Sequence, residues 1–177
     1  MALEAVLPAD LSRRLELIRL ASQADTQAIL EIIVPAFREG ETYAVPRDLS
    51  SDEALAYWLA DGHEVFVYEN DGQILGTYFL QANQHGGGSH VANCGYITHK
   101  KAMGRGIARA MCLHSLERAK ARGFRAMQFN FVVSTNERAV RLWESLGFEV
   151  VGRLPKAFLH PRLGYVEALV MFRNISE

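Results

Sequence analysis

Cysteine is scarce in this chain: Cys94 and Cys112 are the two among 177 residues. A pair like this makes no disulfide framework, so a reduced, cytoplasmic protein is the expectation. No run of about 18 apolar residues occurs, and no segment is expected to span a membrane. The opening stretch MALEAVLPADLSRRLEL lacks a basic segment followed by a long apolar core, so no secretory signal is expected. An excess of charge is missing too. A net charge of −1 supplies no global basic field, which excludes bulk binding of nucleic acid or acidic membrane. The six histidines show no spacing of the His-Glu-x-x-His kind, and no metal is expected. Internal repeats and low-complexity tracts are also lacking.

What is present describes an ordinary globular chain, 49% hydrophobic and 22% charged. Its length suits one domain able to bury roughly 70% of the surface that the unfolded chain exposes. We expect an N-terminal extension over 1–14 and a single domain over 15–177. Within it, Leu15 to Ala21 reads as a strand and SQADTQAILEIIVPAF as a helix starting near Ser22 or Asp25. GETYAVPRDLS reads as a loop, and Ser51 opens a short helix. Two β-rich runs joined at Asp71-Gly72 predict a hairpin. A strand ends at Thr98. From Gly106 the period changes: Ala108, Met111, Cys112, Ser115, Leu116 and Ala119 share one helix face up to Gly123. FRAMQFNFVV is a strand, TNERAVRLWESL a helix ended by Gly147, and FEVVGRL and YVEALVMF are the last strands. The order predicts a mixed α/β domain rather than a strictly alternating, doubly wound one.

The segment KKAMGRGIARAM, between a strand and a helix, carries the chemistry. The first amides of a helix have no intrahelical partner, and the peptide dipoles add roughly half a positive charge there. Gly104 and Gly106 permit a sharp turn and close approach to the backbone. Such a turn suits an anion, and a diphosphate better than a lone carboxylate. It is no P-loop, since Gly-Lys-Ser/Thr is missing. It is no dinucleotide fingerprint either, because the third small residue is replaced by Arg109 and three strands precede it. Two glycines alone also serve as a plain strand–helix turn.

Read with the downstream segments, GYITHKKAMGRGIARAM and GFRAMQFNFVVSTNERAVRLWESLGFEVVGRLP resemble the GNAT superfamily of acyl-CoA-dependent N-acetyltransferases. The likeness runs from about Leu17 to Phe172 and is most specific from Gly95 to Gly152. The family pattern Arg/Gln-x-x-Gly-x-Gly/Ala falls on Met103, Gly106 and Ala108. Its Asn-x-x-Ala helix ending in Leu-Gly-Phe falls on Asn136, Ala139 and Leu146-Gly147-Phe148. The resemblance implies a mostly antiparallel central sheet with one splayed strand pair, flanked by about four helices. It implies acetyl-CoA as cosubstrate, its pantetheine arm along Ile97, Thr98 and His99. The diphosphate would rest on Gly104, Arg105, Gly106, Ile107 and Ala108, with Arg109 nearby and Asn136 at the thioester end. Asn136 is equally suited to cap its own helix. Two positions depart from the family pattern. Met103 replaces an Arg or Gln, and Trp143 stands where many relatives have a Tyr that protonates the leaving thiolate. An indole N–H donates but is no useful acid.

Direct attack by an amine needs alignment and a proton acceptor. Asn93 and Asn130, each inside an apolar β-run, are the catalytic candidates; an amide in a strand is also the ordinary mark of a structural hydrogen bond. Tyr43, Arg47, Arg162 and Glu167 are the substrate candidates, from the segments expected to border the amine site. Tyr96 and Tyr165 are proton-donor candidates that equally suit aromatic packing, and Cys94 suits packing better than acyl transfer. QANQHGGGSHVANCGYI adds a narrower resemblance to the fungal GNAT enzymes that acetylate proline analogues. The expected activity is acetyl transfer to a small, amino-acid-like amine, with a homodimer as an admissible assembly. Peptide acetylation and a non-catalytic acyl-CoA sensor remain alternatives.

Overall fold

The computed structural model describes residues 9–176, so residues 1–8 of the expected extension lie outside the described residues. The chain order is α1 (Ala9–Glu16), β1 (Ile18–Leu20), α2 (Thr26–Glu39), α3 (Ser51–Trp58), β2 (Glu64–Asn70), β3 (Gln73–Ala82) and β4 (Val91–Thr98). It continues with α4 (Ile107–Ala121), β5 (Ala126–Val133), α5 (Glu137–Ser145), β6 (Glu149–His160) and β7 (Gly164–Asn174). The strands form one seven-stranded sheet in the order β1-β2-β3-β4-β5-β7-β6. Every neighbouring pair is antiparallel except β4 and β5.

The sheet is buried on both faces at its centre, which is why β2 and β3 read as near-continuous apolar runs. Val65, Val67 and Phe79 join a core with Ile29, Ile33 and Phe37 of α2 and Trp58 of α3. On the other face Phe66, Tyr68, Tyr78 and Leu80 meet Met111 and Leu116 of α4 and Trp143 of α5. The alternation follows from the two-residue period of a strand. The buried hydroxyl of Thr77 accepts from Trp58 Nε1 at 3.0 Å and donates to Phe66 O at 2.9 Å, so neither polar group is stranded.

Four expectations change. The first strand covers only Ile18–Leu20, because Leu15 and Glu16 close helix α1. That helix crosses the expected boundary at residue 14, and the described residues hold five α-helices rather than about four. The segment KAFLHPRLGYVE is mostly hairpin, since β6 runs on to His160 past a register shift between Leu154 and Phe158. Lys156 takes φ 54 there, and an edge strand absorbs such a bulge without losing its partner.

Candidate active site

The site begins where the sheet splits. β4 and β5 pair only at Val91↔Ala126 and Ala92↔Met127. Beyond that point β5 stays with β7, and a register shift between Phe129 and Val132 brackets Asn130 and Phe131. The strands diverge into a cleft of about 1180 Å³ that Asn93, Cys94, Ile97, Asn130, Phe131 and Trp143 all help to line. Unpaired strand edges expose backbone donors and acceptors, here toward the cleft rather than a neighbouring strand.

Asn93 sits at the fork. Its Nδ2 donates to Gln128 O at 2.9 Å, replacing the ladder bond that the diverging backbones no longer make. The side-chain oxygen is left over as an acceptor at the cleft wall. Asn130 also has partners: its Nδ2 donates to Asn83 Oδ1 at 2.6 Å, and its Oδ1 accepts from Gln128 Nε2 at 2.8 Å.

At one end of the cleft lies the glycine turn. Gly104 (φ 84) and Gly106 (φ 78) occupy the left-handed region, which a Cβ disfavours. Gly106 precedes α4, whose first intrahelical bond runs from Ala110 N to Gly106 O at 3.0 Å. The amides of Ile107, Ala108 and Arg109 are therefore free of helical partners at the cleft. Lys100, Lys101, Arg109 and Arg138 line the same end. Arg109 Nη2 donates to Ser145 Oγ at 2.7 Å, which aims it along α5. Arg14 of α1 reaches the turn from behind and donates to Arg105 O. Bare amides, a helix N-terminus and four cations fit a diphosphate.

The candidates fall into two groups. Ile97, Thr98, His99, Gly104, Gly106, Ile107, Ala108, Arg109, Asn136 and Trp143 line the cleft, as do Tyr43, Asn93 and Asn130. His99 Nδ1 accepts from Lys101 N at 3.1 Å, and Asn136 Oδ1 caps α5 by accepting from Ala139 N at 3.3 Å. Arg105, Arg47, Arg162 and Glu167 are not part of the lining. Arg105 is exposed. Arg47 Nε donates to Arg38 O at 2.9 Å, Arg162 pairs with Glu41 at 2.7 Å, and Glu167 pairs with Arg153 at 2.7 Å. Each has a nearer partner than a substrate, which the sequence does not reveal.

The acid–base candidates narrow in the same way. Ser115 Oγ donates to Cys112 O at 2.7 Å, so the Tyr96 hydroxyl, 2.6 Å away, donates to Ser115 and turns toward α4. Burial pushes the Tyr96 phenol well above its ordinary value. Tyr165 is 69% exposed and outside the cleft. Cys94 is buried and its thiol is pushed strongly up by desolvation; Cys112 is pushed up to about 12 by the same cause. A thiol held neutral is a poor nucleophile. Trp143 is 8% exposed, with its ring 5.1 Å from both Tyr96 and Phe129.

Among the cleft residues that went unnoticed in the sequence are Glu31, Tyr57, His63 and Gln81. The signal was the hairpin register. Gln81 pairs with Asn93, and His63 lies one step beyond the Glu64↔Leu80 pair, so the three fall in one row across the sheet.

The comparisons agree with this geometry. The family model described as Acetyltransferase (GNAT) family matches residues 26–148. A GCN5-related N-acetyltransferase from Kribbella flavida superimposes with a TM-score of 0.85 at 41% identity, covering 89% of this chain and 96% of that one. The structure of yncA, a putative acetyltransferase from Salmonella typhimurium with its cofactor acetyl-CoA, gives 0.79 at 25% identity, covering 90% and 94%. N-acetyltransferase aca1 of Schizosaccharomyces pombe is 34% identical over 55% of this chain but only 47% of its own length. The L-methionine sulfoximine/L-methionine sulfone acetyltransferase of Salmonella typhimurium is 28% identical over 78% of this chain and 83% of its own. With the split sheet, the glycine turn and this match together, the chain belongs to the GNAT acetyltransferase family, whose cosubstrate is acetyl-CoA.

Proposed function

We propose that this chain transfers the acetyl group of acetyl-CoA to the amine of a small, amino-acid-like molecule, by direct attack in a ternary complex. The observation that carries the reading is one continuous cleft with two unlike ends. Gly104, Gly106 and the α4 amides form the anion end, while Glu31, Tyr43, Tyr57, His63 and Gln81 line the other. Both reactants then share one cavity, as direct attack requires. The desolvated Cys94 thiol argues against an acyl-enzyme. Asn93 Oδ1 is the group we assign to the amine N–H, with Asn130 beside it and Asn136 at the thioester. The Salmonella relative named for methionine sulfoximine and methionine sulfone, and the L-amino acid N-acyltransferase MnaT of Escherichia coli, 27% identical over 78% of this chain and 83% of its own, support an amino-acid-like acceptor. The two free, buried cysteines favour a reducing compartment, and we assign the cytoplasm.

One observation favours a variant of this reading. Arg47 and Arg162 are engaged elsewhere, and Glu31 lines the cleft, so a carboxylate finds little positive charge at the acceptor end. An amine without a neighbouring carboxylate suits that end better on charge. The deciding experiment follows CoA release with paired acceptors: amino acids, their amides and the matching decarboxylated amines. A preference for the amino acid supports the first reading and a preference for the amine the second. Acetyl-CoA binding without turnover of any acceptor, short peptides included, refutes both and favours a sensor.

A further inference from the structure

The amine must lose a proton before it attacks, and the cleft contains one residue built to take it. His63 Nδ1 lies 3.0 Å from Trp58 O. A carbonyl only accepts, so Nδ1 carries the hydrogen and the neutral ring keeps its lone pair on Nε2. The ring stacks on Phe79 with centroids 4.1 Å apart and planes 6° apart, which fixes its orientation. A histidine held by one nitrogen through a backbone carbonyl, with the other nitrogen free at a cavity wall, has the arrangement of a general base.

Resting on the reading proposed above, we infer that His63 Nε2 is the proton acceptor for the amine, acting through one water over the row His63–Gln81–Asn93. Two strand spacings, about 10 Å of backbone, separate the ends of that row, and the imidazole, a water and the Asn93 side chain bridge it. The ammonium N–H bond breaks and its proton passes to Nε2. The freed nitrogen lone pair attacks the thioester carbon. The C–N bond forms, the C–S bond breaks with its electron pair going to sulfur, and the surplus proton on nitrogen goes to the thiolate. His63 returns its own proton to solvent.

The other groups at the cleft serve less well. Glu31 is exposed and accepts from Gln27 Nε2 at 3.2 Å, and Glu39 is paired with Lys100. Tyr43 and Tyr57 are held protonated by burial. His99 has its Nδ1 lone pair on Lys101 N and lines the cleft beside the cations of the anion end. The charged and titratable groups around His63 are few. Glu31 and Tyr57 share its side of the cleft, Asp61 on its own turn is exposed, and Glu64 is bound by Arg118 and Arg122.

The test uses the full chain with an accepted amine that is itself fully protonated at neutral pH. For His63→Gln we expect kcat/KM for the amine to fall about 100-fold or more. The acid limb of its pH profile should disappear. Acetyl-CoA Kd and the thermal midpoint should stay near the parent's. In His63→Ala, added imidazoles should restore rate in order of their basicity, which a packing role does not produce. An unchanged acid limb, activity within threefold, or rescue indifferent to basicity overturns the assignment of His63 while leaving the acetyltransferase reading intact. Absence of turnover by the parent chain with every amine overturns both.

Discussion

Removing the Asn93 amide should have two separable effects. The hydrogen bond from Nδ2 to Gln128 O spans the point where β4 and β5 stop pairing, and only two residue pairs lie behind it. Asn93→Ala deletes this strut, but the cleft admits water to the exposed carbonyl. The cost therefore belongs near the low end for a lost hydrogen bond, about 1 kcal/mol. For a chain of this length that is a fall of about 2–4 °C in thermal midpoint. The second effect concerns the side-chain oxygen left over at the cleft. If it holds the ammonium, its loss removes a bond to a charged group, about 1.5–3 kcal/mol, or about 10- to 150-fold in kcat/KM for the amine. Acetyl-CoA affinity should change less than threefold, because the anion end is untouched. Asn93→Asp keeps an oxygen but sets a carboxylate against Gln128 O, so it should cost more stability than the alanine. Steady-state kinetics, calorimetry with acetyl-CoA and thermal melts read the three quantities. Normal kcat/KM in the folded fraction, with stability and cofactor affinity falling together, would show that Asn93 is a strut alone.

Gly106→Ala forces a Cβ into a backbone at φ 78, 3.4 Å from Arg14 Nη1. We expect about 1–2 kcal/mol of lost stability and at least tenfold weaker acetyl-CoA binding by calorimetry; an unchanged Kd refutes the diphosphate assignment. Trp143→Phe should keep kcat within about tenfold, no more than about 1.4 kcal/mol in the transition state; a thousandfold fall with cofactor affinity preserved would give the indole N–H a catalytic role. Asp25 accepts two bonds from Arg19 at 2.8 Å, and this pairing, reinforced by Ser22, holds its carboxyl well below the usual carboxylate range. A lowered folded pKa gives stability that is present above about pH 4, where the unfolded carboxyl is ionised, and lost as pH falls toward the folded value. Asp25→Asn should cost about 1–3 kcal/mol at pH 7, and its deficit in urea melts should shrink below pH 4; a constant deficit refutes the ion-pair account.

Local signals in the sequence predicted the features that are settled locally. Gly104 and Gly106 announce a turn because few other residues tolerate positive φ, and the apolar stripe from Gly106 onward announces α4. The Asp71-Gly72 hairpin was legible for the same reason: both residues take positive φ. Features that depend on distant partners were not. Arg47, Arg162 and Glu167 carry the charge that a substrate site needs, but Arg38 O, Glu41 and Arg153 claim them through the fold. Helix α1 was missed because it is short, its apolar stripe is only Leu11 and Leu15, and Leu15 also reads as the start of the following β-run. The length of β6 was hidden by Pro155 and Lys156, which read as a break and are in fact a bulge. His63 sat unnoticed in a turn, because its neighbours in the site are cross-strand and become visible only through the register of β2, β3 and β4.

The replacement of the usual tyrosine by Trp143 becomes intelligible in the same terms. A leaving thiolate needs little help, since a free thiol has a pKa of only about 8.5, close enough to neutrality for the anion to depart. An attacking alkylammonium is the harder partner, since a lysine-type amine has a pKa of about 10, so removing its proton demands more of the protein than adding one to sulfur. Trp143 instead fills the wall where α5 meets the sheet, its ring between Tyr96 and Phe129. That packing also keeps the Tyr96 hydroxyl on Ser115 rather than in the cleft. On the assignment proposed above, the cleft gives up a proton donor at the thioester and keeps a proton acceptor, His63, at the amine. Proton removal is then the step most sensitive to pH, and the acid limb of kcat/KM, not the alkaline one, is where a single side chain should be visible.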